Sequence, residues 1–134
     1  MDYLRGKSNT TINRKSTRNA KPAVVGDLTL FETFAQTAFN MFTPDQKAWL
    51  YTEFLNDNII SVLKDDDLYS CIEAFFKNNL NIAETSRNAF LHRNTLLYRI
   101  DKIHKLTGLN IRNFEDAITF KILAKIYNRM NFRD

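Results

Sequence analysis

The stretch NIAETSRNAFLHRNTLLYRIDKI, residues 81–103, decides how the rest of the chain is read. Asn81 followed three residues later by Glu84 is a helix-start signature and predicts a short helix over residues 82–90. Leu91 stays apolar, four polar residues follow, and apolar positions then recur at Leu96, Ile100 and Ile103. That i, i+4, i+7 spacing belongs to a helix with one inward face. Two helices joined by a tight turn need a small residue where they cross and an apolar plug in the turn. Ser86 and Leu91 meet those needs. What remains faces outward: His92, Arg93 and Asn94 at or before the first turn of the second helix, then Thr95, Tyr98, Arg99 and Lys102 along it.

Those residue types suit a DNA major groove. Guanine offers two acceptors to a forked Arg, and a helix N-terminus favours phosphate oxygens. Arg93 is the expected base-edge contact, Asn94 and Thr95 bond phosphate or base, and Tyr98, Arg99 and Lys102 hold the backbone. A solvated helix also carries Arg, Lys and Tyr, so a protein-interaction module whose acidic, Phe-rich half docks a partner is the alternative outside DNA binding.

The charge distribution agrees with the groove reading. Residues 1–26 hold six Lys and Arg against one acid, residues 27–80 three against nine, and residues 81–134 ten against five. A basic C-terminal half after an acidic middle is the footprint expected of a chain that meets a polyanion.

Working outward, residues 1–26 mix Ser, Thr, Asn, Lys and Arg without an apolar period and read as a disordered basic arm, either a solvated leader or a strap along phosphates. Phe31, Phe34, Ala35, Ala38 and Phe42 form a helical stripe, with Asp27 as its expected cap. Thr43 and Pro44 open a second helix expected to run to about residue 63. Asp65, Asp66 and Asp67 are read as cap and first-turn acids of a third helix whose inward positions are Leu68, Cys71, Ile72 and Phe75. Gly108 is placed to end the recognition helix, over residues 93–107. Asn113 is placed to cap a last helix holding Phe114, Ala117, Ile118, Ile122 and Ile126. The expected organisation is a basic arm (1–26), an N-terminal helical region (27–67) and a helix-turn-helix domain (68–134). The fold class is all-α, six helices behind a tail, which suits a chain with 3 Gly and 2 Pro in 134 residues.

Chemistry other than binding finds little support in the sequence. The histidines, His92 and His104, show no metal-ligand spacing, and a lone Cys71 excludes an intramolecular disulfide. No nucleophile elbow or Gly-rich phosphate loop is present. The expectation is no enzyme, no metal, no cofactor and no small-molecule ligand. No run approaches the roughly 18 apolar residues of a membrane span, and MDYLRGKSNTT has no secretory apolar core. The predicted location is the cytoplasm, at the nucleoid, without membrane contact. Double-stranded DNA is the predicted partner. A single helix-turn-helix reads few base pairs, so a homodimer is expected, with its seam in residues 28–63 around Phe39, Met41 and Trp49.

Residues 78–126 also resemble a known family. The pieces NIAET, HRNTLLYRIDKI, LTGLNIR followed by Phe114, and EDAITFKI are similar, in order and spacing, to the C-terminal helix-turn-helix domain of PucR/CdaR-type bacterial transcription regulators. RNTLLYRI is also similar to the DNA-binding helix of the nucleoid protein Fis. The resemblance implies sequence-specific transcription regulation, with DNA contacts at His92, Arg93, Thr95, Tyr98 and Arg99, and keeps a Fis-like architectural DNA-binding protein as an alternative. The family usually carries Ala where this chain has Ser86, whose hydroxyl is expected to bond a carbonyl one turn earlier.

Overall fold

A computed structural model describes residues 21–131, which fall into two compact units, one ending at Ala38 and one beginning at Phe39. In the first unit, Val24–Val25 (β1) and Leu28–Thr29 (β2) pair antiparallel, Val24 opposite Thr29 and Val25 opposite Leu28. Gly26, at φ +65, starts the two-residue turn between them. Residues 21–26 are therefore not all arm, and helix α1, Leu30–Asn40, starts later than the sequence suggests. Asp27 sits in the hairpin turn. The cap belongs instead to Thr29, whose hydroxyl accepts from Glu32 N at 3.0 Å while the Glu32 carboxylate accepts from Thr29 N at 3.0 Å. The rest of the expected arm, with its strap reading, lies outside the described residues.

The second unit holds six further helices, so the described chain has seven where the sequence suggested six. They are α2 (Pro44–Phe54), α3 (Asp57–Lys64), α4 (Asp66–Lys77), α5 (Ile82–Asn88), α6 (Arg93–Thr107) and α7 (Phe114–Asn131). The fold is all-α apart from the small hairpin. Thr43 caps α2 through a full capping box with Gln46, with Pro44 in the first turn. The expected helix to residue 63 breaks at Leu55–Asn56, because the Asn56 side chain accepts from Ile59 N at 2.9 Å and starts α3 afresh. Leu55, at the break, is buried along with Ile59, Val62 and Leu63.

Helices α3, α4 and α6 pack on one another, α5 lies on α4 and α6, and α2 packs against α7. The core takes Leu68, Cys71, Ile72 and Phe75 from α4, and Leu96, Ile100 and Ile103 from α6. Asp65 caps α4 by accepting from Leu68 N at 3.1 Å, with Asp66 and Asp67 in the first turn, as expected of helix-start acids.

Helix α7 is rolled so that only part of the apolar set read from the sequence is buried. Ala117 and Ile126 are buried, but Phe114, Ile118 and Ile122 are exposed, and Phe120, Leu123, Ala124 and Tyr127 fill the core instead. The loop before α7 sets that roll. Asn113 Oδ1 accepts from Glu115 N and Asp116 N, and the Asp116 carboxylate accepts from Asn110 N at 3.0 Å, which ties one side of the first turn to the loop.

Gly108 ends α6 in the left-handed region, φ +80, with its N–H donating to His104 O. A Cβ there meets nothing within 4 Å, so Gly108→Ala carries only the backbone cost, about 1 kcal/mol. Chemical denaturation should show that loss with an unchanged m-value.

Candidate nucleic-acid interface

Asn81 Oδ1 accepts from Glu84 N at 2.8 Å and starts α5, which ends at Asn88 rather than at residue 90. It stops there because Phe90 takes a left-handed φ of +55, which no continuing helix accommodates. The chain reverses at this point. Thr85 is fully buried between α5 and its neighbours, its hydroxyl donating to Asn81 O at 2.7 Å, so the polar group costs little.

Ser86 holds the turn. Leu91 N donates to Ser86 O at 3.0 Å, and the Ser86 hydroxyl donates to Leu91 O. The hydroxyl therefore reaches forward across the turn, not back along its own helix, and the two bonds fix the angle at which α6 leaves. Half-buried Leu91 packs against the core beneath.

His92 is the N-cap of α6, and its Nδ1 accepts from Asn94 N at 3.1 Å. An imidazole that accepts at Nδ1 carries its proton on Nε2. The exposed ring is thus set up as a single N–H donor. Leu96, Ile100 and Ile103 seat α6 in the core, at 0%, 3% and 0% exposure, and fix which residues look outward.

Of the seven predicted site residues, His92, Arg93, Asn94, Tyr98 and Lys102 are exposed. Thr95 and Arg99 lie half-buried on the flank of the helix. Arg99 is close enough to α4 to act on the Cys71 thiol. Burial pushes that thiol's pKa up, and the Arg99 charge partly offsets the rise. All seven occupy the first ten residues of α6 and its cap, so the turn brings them onto one end of one element.

Three features around the site were not among the predicted residues. Phe90 is 94% exposed although it is aromatic and sits in the turn. Arg87, in the last turn of α5, adds an exposed cation near the turn in the chain. Asp101 is an exposed acid on α6, and its carboxylate lies 3.0 Å from Lys105 Nζ one turn on. That spacing could be counted from the sequence; the exposure of Phe90 could not.

Comparison with known proteins agrees with this geometry. Residues 68–126, from α4 into α7, match the PucR C-terminal helix-turn-helix domain family. The chain is 38% identical over 55 residues to the carbohydrate diacid regulator of Escherichia coli (strain K12), covering 41% of this chain and 14% of that protein. It is 23% identical over 78 residues to the purine catabolism regulatory protein of Bacillus subtilis (strain 168), covering 55% and 15%. The chain thus spans about one seventh of these curated relatives. Among solved structures, the regulator of polyketide synthase expression from Bifidobacterium adolescentis shares the fold, with a TM-score of 0.54 and 24% identity over 85% of this chain and 45% of that one. The buried α6 seat, the Ser86–Leu91 turn and the sequence match together make residues 68–126 a PucR-type C-terminal helix-turn-helix domain.

Proposed function

We propose that this chain is a sequence-specific DNA-binding transcription regulator whose recognition helix, α6, enters the major groove with its N-terminal turns. The observation that carries the reading is the seating of α6. Its apolar face is sunk in the core, its turn is clamped by Ser86, and His92, Arg93, Asn94, Tyr98 and Lys102 are left exposed together. In this role the His92 Nε2–H donates a hydrogen bond to a phosphate oxygen, Arg93 reads a base edge, and Lys102 neutralises backbone charge, with Thr95 and Arg99 closing on the flanking strand. The relatives, a carbohydrate diacid regulator and a purine catabolism regulatory protein, support a regulatory function rather than an enzymatic one. The helix-turn-helix domain occupies residues 68–134, and residues 27–67 form the region before it. No helix among the described residues is long and apolar enough to cross a membrane, and a place at the nucleoid follows from DNA binding.

The working form is a homodimer on half-sites about 34 Å apart. Phe39 does not belong to its seam. It is buried, edge-on to Phe42, with Lys47 and Arg129 over its ring. Met41, Trp49 and Phe54 are exposed, and Trp49 and Phe54 stack edge to face at 5.8 Å, a better apolar knob for a second copy. Sedimentation with DNA should give a dimer that Trp49→Glu converts to monomer, and a monomeric wild type on DNA would remove the idea.

The test of the whole reading is selection from a randomised duplex library at two salt concentrations. Enrichment of a short inverted repeat is the expected result. Salt-sensitive binding without enrichment would replace sequence reading by an architectural role, and no binding at either salt would leave a protein-interaction module.

A further inference from the structure

Phe90 has no local reason to be aromatic. Its side chain is 94% exposed, so burial contributes almost nothing. Its φ of +55 lies in the region that Gly and Asn enter far more readily than a bulky residue does. Conformation and solvation both disfavour it, yet the turn that carries it is held firmly. Leu91 N bonds Ser86 O, and Leu91 O accepts from the Ser86 hydroxyl, immediately after Phe90 in the chain. The ring is thereby offered to solvent from a fixed backbone, and a partner that covers it meets little ordering cost.

The surroundings in the chain say what such a partner is. Arg87 stands three residues before Phe90 and Arg93 three residues after it, both exposed, and the exposed His92 cap comes between. A surface of one apolar ring among cations fits a polyanion that also has an apolar edge. Duplex DNA has both: phosphates for the cations, and deoxyribose faces and thymine methyl groups for the ring. We propose that Phe90 is a DNA-contact residue that packs its ring on the apolar edge of the nucleic acid next to the phosphate held at the start of α6. The proposal rests on the DNA-binding reading above and adds to it an apolar contact in the turn.

The experiment uses the full chain and a selected duplex, with wild type, Phe90→Asn and Phe90→Tyr compared over a range of salt. Phe90→Asn suits the left-handed backbone, so it should melt no lower than wild type. Its affinity should fall roughly 5- to 20-fold, the share of one apolar side chain. An apolar contact releases no counterions, so the salt slope should not change. Phe90→Tyr keeps the ring and should bind like wild type. Repeating the titration on the same duplex with dU in place of dT identifies the edge. A loss for wild type that Phe90→Asn does not share assigns the ring to a thymine methyl, and equal behaviour of the two proteins assigns it to deoxyribose.

Wild-type affinity in Phe90→Asn, or a loss that comes with a shallower salt slope, would overturn the proposal. Either result leaves the DNA-binding reading standing, provided Arg93→Ala still weakens binding. Failure of wild type to bind any duplex would bring both down. Should Phe90→Asn fold poorly, Phe90→Gly gives the same comparison.

Discussion

Arg93→Ala is expected to lose about 1 to 3 kcal/mol on the preferred duplex, roughly 5- to 150-fold in affinity, and to stop discriminating at one base pair. Three features of the structure give that expectation. Arg93 is the first residue of α6, directly after the His92 cap, and is exposed. On the proposed docking it is the α6 side chain that would lead into the groove, and the Asp101–Lys105 pair lies further along the helix. Its fork also matches the two acceptors of guanine, which Lys at the same place does not. Lys102→Ala is the control. Lys102 lies more than two turns along the helix, so its loss should weaken every duplex alike and reduce the salt slope by about 1. Equal losses for the two variants on selected and random DNA would take base reading away from Arg93.

How much of this was readable beforehand varies with the kind of signal. The helix-turn-helix was legible because its parts are local: the Asn81 cap, the Leu91 plug, the i, i+4, i+7 seat of α6 and Gly108 at its end all act within a few residues. The break between α2 and α3 was not legible from periodicity. Leu55, Ile59, Val62 and Leu63 keep a helical spacing straight through it, and only the Asn56 side chain, bonding Ile59 N, stops one helix and starts the next. The hairpin at residues 24–29 was lost inside a polar arm, although Gly26–Asp27 between β-branched and apolar neighbours is a two-residue turn signal. Within the site, residue type pointed to the seven candidates but not to their unequal exposure. The half-burial of Arg99 and the protruding ring of Phe90 depend on how α5 and α6 sit against α4, which no local pattern encodes.

The second large effect is expected at Phe120, and it tests the roll of α7. Phe120→Ala removes a ring at 0% exposure from the centre of the core and should cost about 3 to 5 kcal/mol. Proteins of this size hold only about 5 to 15 kcal/mol in all, so the variant should unfold at a much lower urea midpoint and lose DNA affinity with its fold. Phe114→Ala and Ile118→Ala, on the same helix, should stay within about 0.5 kcal/mol of wild type, since both side chains are exposed, neither makes the Asn113 cap bonds, and surface changes rarely do more. The contrast is informative because α7 is apolar on two sides, so periodicity alone offers two inward faces. Phe114, Ile118 and Ile122 make one, and Phe120, Leu123, Ala124 and Tyr127 make the other. The bond from Asn110 N to Asp116 pins the first turn, and two small residues, Ala117 and Ala124, let the second face approach closely. If Phe114→Ala proved as costly as Phe120→Ala, the helix would be rolled the other way, and the support that α7 gives the recognition helix through the shared core would have to be redrawn.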